Sequence, residues 1–285
     1  MAIPAWQYVV SMSAYIAFLL FFIAFMRKHY KLSMYFFLAS LLTFPLWFNG
    51  VEGWFRWAKI LSVILPTIVV GLARISVYEQ RKGKFWEFLQ KDWLLWFLYC
   101  ILFLNILEAT IKDATMGNYF NALCGLLLCL TIPFPPKFWK ISTEPHGDLI
   151  AYTTAAWNFI YTSWNACFVY AESPVYFFSS VCILLAAELY PIIKGRPELY
   201  IIARVYTLAI HLLLRACFVD LFPTLMNAAP FHNLEVLKVW GIINGIMIIP
   251  YTLWHMWQLH TGKADVSFRR GRVEKQAENE EVALA

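Results

Sequence analysis

Residues 5–26 read AWQYVVSMSAYIAFLLFFIAFM, a run without a single charged side chain. Wound as a helix at about 1.5 Å per residue, such a run covers the roughly 30 Å of a bilayer's hydrocarbon core. Further apolar runs follow at about residues 33–49, 58–78, 93–111, 118–134, 149–171, 174–193, 198–219 and 236–259. Backbone polar groups cannot go unpaired in lipid, so a spanning segment is a helix or part of a closed barrel; continuous runs, rather than short alternating ones, favour helices. The expected fold class is all-α, a polytopic transmembrane helix bundle of about nine spans over residues 1–262, with a charged tail over 263–285. The second and fifth runs are the shortest, and the fifth ends at Pro133, Pro135 and Pro136, which do not continue a helix.

Composition agrees. Of 285 residues, 61% are hydrophobic and 14% charged, against about 25% charged in a typical soluble domain. Soluble classes are excluded, and nucleic acid is not an expected partner. The first run has no charged segment before it, so it reads as a retained anchor rather than a cleaved signal. All six cysteines, Cys100, Cys124, Cys129, Cys167, Cys182 and Cys217, fall in predicted spans without a CxxC pair, and read as small packers.

Lys and Arg are retained on the cytoplasmic side of a membrane. With the amino terminus outside and the carboxyl terminus cytoplasmic, the inner loops and tail hold 16 of the 23 basic residues. The outer loops keep Arg56, Lys59, Lys112 and Lys238, and Arg74, Arg204 and Arg215 fall within spans. Arg74, one turn from its helix end, is expected to reach the headgroups. Trp6, Trp54, Trp57, Trp93, Trp96, Trp139, Trp254 and Trp257 gather near span ends, as interfacial rings do. The expected location is a plasma membrane, or the inner membrane of a bacterium, with membrane lipids as partners.

Ionisable residues at depth carry the functional information, because burying an unpaired charge in lipid costs at least about 2.5 kcal/mol. In the sixth span Asn158, Tyr161, Asn165 and Glu172 recur at spacings of three, four and seven, one helical stripe, beside Trp157 and Trp164. The eighth carries Arg204, His211 and Arg215, the ninth Asn244, Tyr251 and His255, each at i, i+7 and i+11. Two such stripes are expected to face one another across a wet interior. Glu188 and Arg204 lie at similar depth and form an expected ion pair, while Asn49, Glu52, Asn105, Glu108, Glu172, Arg215 and Asp220 gather toward the outer face.

No mid-span lysine is available for retinal, and no Walker loop, aspartate-rich diphosphate motif, GxSxG elbow, HxxxH or HExxH occurs. No metal or cofactor is expected. The Trp-Asn pairs followed by an acid are similar to small integral-membrane cyclases of isoprenoids, which combine aromatic walls with a carboxylic acid; the likeness covers less than one helix and identifies no family. The leading expectation is a transporter or channel-like carrier of a small polar or amphipathic molecule, held by Asn158, Tyr161, Asn165, Glu188, Arg204, His211, Arg215, Asn244, Tyr251 and His255. Pro66 with Gly71, and Pro250, are candidate hinges. The alternative is an intramembrane enzyme acting on a lipid or isoprenoid, with Glu172 or Glu108 as general acid.

Overall fold

A computed structural model of the chain describes residues 3–51 and 53–264. Glu52, the side chain of Asn49 and nearly all of the charged tail lie outside the described residues. The helices are α1 (Ala5–Lys28), α2 (Tyr30–Ser40), α3 (Phe44–Gly50), α4 (Trp54–Tyr78), α5 (Lys84–Leu89), α6 (Trp93–Thr115), α7 (Tyr119–Thr131), α8 (Ala155–Glu172), α9 (Phe177–Lys194), α10 (Tyr200–Cys217), α11 (Leu221–Met226) and α12 (Leu234–His260). A small antiparallel hairpin, β1 (Trp139–Ile141) and β2 (Leu149–Ala151), lies between α7 and α8, with Lys140 opposite Ile150.

The architecture is an all-α bundle. Among the described residues, seven helices are long and apolar enough to cross a membrane, the length and composition that a membrane-embedded protein has. One of the seven, Tyr30–Phe48, is α2 run on into α3 through a 3-10 turn at Leu41–Thr43. There the Ser40 and Thr43 hydroxyls donate back to the carbonyls of Phe37 and Ser40, the local competition that bends a helix. Two further expected spans fall short of that standard. Helix α7 has 13 residues, about 20 Å of rise, and stops before Pro133. In the sixth stretch, residues 149–151 form a strand and the helix starts at Ala155, where the Thr154 hydroxyl accepts the Trp157 N–H at 3.1 Å as an N-cap.

Contacts fix the two ends of the bundle. The Tyr8 hydroxyl reaches the Asn227 carbonyl and the Tyr170 hydroxyl the Phe231 carbonyl at one end. At the other, the hairpin meets α1 and α4, and Lys137 meets the Ala264 carbonyl. Successive long helices therefore alternate in direction, with the described amino- and carboxyl-terminal ends on opposite sides. Close approach is bought with glycine where two helices nearly touch: a side chain at Gly125 of α7 would lie 2.7 Å from the Trp164 indole nitrogen of α8.

The hairpin end is held by buried charge. Arg74 has no exposure at all, so the expected reach to headgroups is overturned. Its guanidinium donates to the carbonyls of Gly147 (3.0 Å), His146 (2.7 Å) and Arg27 (2.7 Å) and to the Tyr206 hydroxyl, and lies 3.5 Å from Asp148. Arg27 pairs with the same Asp148 and donates to the Tyr190 hydroxyl at 2.6 Å. The loop from β1 to β2 curls over this cluster because its carbonyls are the acceptors that two cations at depth require. Burial first, helped by the Arg27, Arg74 and Lys28 charges and opposed by Asp148, pushes the His146 imidazole below its ordinary value. Trp139 is buried as well, its indole N–H on the Pro133 carbonyl at 2.7 Å, rather than interfacial.

Candidate functional site

Five helices, α4, α6, α8, α9 and α10, surround a chamber of about 310 Å³. That is space for about ten waters at roughly 30 Å³ each, more than a packing defect leaves. Each wall is one helical stripe. Helix α4 offers Arg56, Lys59, Ser62, Val63, Pro66 and Thr67, and α6 offers Leu98, Ile101, Leu102, Asn105 and Glu108. Helix α8 offers Tyr161, Asn165, Phe168 and Glu172; α10 offers Arg204, Leu208, His211, Leu212 and Arg215; and α9 adds Ser180 and Ile183. At the mouth, Arg56, Glu172 and Val219 are exposed. At the hairpin end the floor is made by Trp139 and Leu149, both about 1% exposed.

The polar groups fall in two layers. Near the mouth, Lys59 donates to Glu108 at 3.2 Å, and the Arg215 guanidinium lies 3.7 Å above the Tyr176 ring. Deeper, Arg204 is buried, with Nε and Nη1 making no hydrogen bond and its guanidinium 5.8 Å from the Tyr161 ring centre. His211 is buried with Nδ1 3.1 Å from the Tyr15 hydroxyl and Nε2 without a partner. Whichever of Tyr15 and Nδ1 donates decides whether Nε2 is donor or acceptor. Buried polar atoms without a partner are rare because each forfeits its hydration, and Arg204 and His211, both residues of the chamber wall, carry three such nitrogens, which a small turn of either side chain toward a guest would complete.

The structure brings seven of the sequence-selected residues to this chamber: Tyr161, Asn165, Glu172, Arg204, His211, Arg215 and Glu108. It leaves five elsewhere. Asn158 donates to the Pro197 carbonyl at 3.2 Å, and Glu188 accepts from the Thr162 hydroxyl at 3.0 Å in the α8–α9 seam, with no ion pair to Arg204. Asn244, Tyr251 and His255 stand on α12, which packs on α7 and α8 rather than on α10, so the two stripes expected to face each other do not. Neither expected acid has apolar surroundings: Glu108 is taken up by Lys59, and Glu172 is exposed beside the Ser173 hydroxyl. Nor does Gly71 act as a free hinge, since Met34 packs where its side chain would be; Pro250 lies outside the chamber.

Sequence reasoning missed Lys59 and Arg56, read as loop charges, and a second buried network. Asp113, with no exposure, accepts from Asn118 at 2.9 Å and Asn121 at 2.7 Å. Asn121 in turn accepts from Asn244 at 2.8 Å, and Asn244 accepts from Ser163 at 2.7 Å. A closed chain of this kind holds helices together. An Asn244→Leu variant is therefore expected to lower stability by about 1–3 kcal/mol by stranding Asn121 and Ser163, while leaving ligand binding in the chamber unchanged; thermal unfolding and a binding assay on one preparation check both. Among the described residues, no group of three His, Cys, Asp or Glu side chains is placed to hold a metal ion, and the cysteines are free. No family model, curated protein or solved structure matches the chain.

Proposed function

We propose that the protein is a multi-pass integral membrane protein that draws a small amphipathic molecule with an acidic or hydrogen-bond-accepting head into the five-helix chamber and acts on it there. The observation that carries this reading is Arg204, a buried residue of the chamber wall whose Nε and Nη1 make no hydrogen bond. A guanidinium in that state matches a carboxylate or phosphate oxygen pair. The apolar residues between the two polar layers, Leu208, Leu212, Ile101 and Leu102, suit the molecule's hydrocarbon part. His211, oriented by Tyr15, is the group placed to exchange a proton with the guest through Nε2.

The closed floor favours chemistry over passage. Opening the chamber to the hairpin side requires moving Trp139 and Leu149, and with them a hairpin pinned by Arg27 and Arg74. Passage by a carrier remains the second reading, favoured by polar groups at two depths, as a stepwise path needs. In either case the nine antiparallel passes are taken as spans, with the hairpin end cytoplasmic. That orientation is supported by Arg27, Lys28, Lys31, Arg81, Lys82, Lys84, Lys91, Lys137, Lys140, Lys194, Arg196 and Lys263, which all lie near the hairpin end.

Mass spectrometry of protein released intact from native membranes tests the proposal. It is expected to find an acidic amphiphile retained by the chain. A chain that carries none, and gains no thermal stability from any acidic amphiphile added back, contradicts it.

A further inference from the structure

The ring of helices around the chamber has one joint without close backbone packing. Helices α4 and α10 pack along their lengths, as do α10 and α9, and α9 and α8; α8 also touches α6. Between α6 and α4, which close the ring, backbone contact is nearly absent, although both line the same chamber. One polar bond crosses the joint near the mouth, from Lys59 to Glu108 at 3.2 Å, and each side chain is about a third exposed. Outside, the same helices present exposed Leu65 and Leu104, a surface for lipid. Inside, Pro66 has no N–H, which releases the Ser62 carbonyl from the helical ladder on the chamber wall.

We infer that the joint between α4 and α6 is a lateral portal through which an amphiphile with a single hydrocarbon chain and an acidic head enters the chamber from the bilayer, with Lys59 and Glu108 as the latch. The inference rests on the amphiphile-binding reading proposed above and adds the route and the class of guest. The shape of the site carries it. An acidic head paired with Arg204, whose Nε and Nη1 make no hydrogen bond, leaves its tail among Leu208 and Leu212 of α10 and Ile101 and Leu102 of α6, one of the two helices that flank the joint. A guest entering from water through the mouth would need to pass Arg56, Lys59, Glu108, Glu172 and Arg215, a layer that favours the head and opposes the tail. Through the joint, the tail stays in hydrocarbon throughout. The latch costs little to open, since each side chain of the pair is about a third exposed and solvent screens their attraction.

The test uses the full chain in liposomes, with Leu65→Cys and Leu104→Cys, on the outer faces of α4 and α6 and outside the chamber lining, in a background where Cys100 and Cys217 are serine, joined or not by a bis-maleimide. Two probes are compared: a nitroxide-labelled stearate supplied in the bilayer, and octanoate supplied in water. Loading of the stearate is expected to slow about tenfold or more on cross-linking, as when a gate is fixed shut, while octanoate binding is unchanged. Equal stearate loading with and without the cross-link overturns the portal and leaves the chamber reading standing. Octanoate binding without any stearate loading overturns the membrane-derived guest. Binding of neither probe to the uncross-linked protein overturns the chamber reading itself, and the portal with it.

Discussion

An Arg74→Met variant is expected to lose about 3–5 kcal/mol of stability, the usual consequence of removing one partner from a buried charge cluster. Methionine fills much of the same volume, so the loss reports the stranded acceptors. The carbonyls of Gly147, His146 and Arg27 lose this donor, the Tyr206 hydroxyl is left with Ser33, and Asp148 is left with Arg27. Since the β1–β2 loop supplies two of those carbonyls, the floor of the chamber should loosen with it. Thermal unfolding in detergent measures the loss. An Arg81→Met variant, which breaks a partly exposed pair with Glu79, serves as the reference and is expected to cost under about 1 kcal/mol.

Arg204→Met should do the opposite to stability while removing function. Arg204 is buried with Nε and Nη1 making no hydrogen bond, and replacing such a charge by an apolar side chain of similar volume is often neutral or stabilising. Binding of an acidic amphiphile should weaken by about 100-fold or more, because charge-assisted bonds to a buried guest are worth about 2–5 kcal/mol. Arg204→Lys is expected to restore only part of that affinity, as an ammonium lacks the planar fork. Thermal unfolding of the empty protein, paired with titration of the amphiphile, reads both effects. A residue that merely holds helices together would lose stability and leave binding alone, the pattern expected at Asn244.

The contrast between these two arginines shows what a sequence can convey. Helical periodicity sets which residues share a stripe, and the α10 stripe of Arg204, His211 and Arg215 does line one wall. It also sets depth, so Glu188 and Arg204 do sit near the same level. Periodicity does not set which neighbour a stripe faces. The stripe on α12 turns to α7 and α8, because Asn244 closes a hydrogen-bonded chain with Asn121 and Ser163 there. Glu188 likewise turns to Thr162. The fate of Arg74 was hidden for a further reason: a residue one turn from a helix end reaches headgroups unless something covers it, and the cover is a hairpin in a stretch of sequence that reads partly as loop and partly as the next span. The long apolar runs were legible because length and hydrophobicity alone decide them; α7 and α8 were expected too, over 118–134 and 149–171, but not their limits, since α7 stops after 13 residues ahead of Pro133 and a strand takes residues 149–151 before α8 starts.

The most direct test of the account is an experimental density map of the protein in nanodiscs of its native lipids. A branchless, elongated density is expected between α4, α6, α8 and α10, with its polar end at Arg204 and its tail toward the α4–α6 joint. Arg204 turned away to a protein carboxylate, with the five helices packed against one another and no room between them, would contradict it.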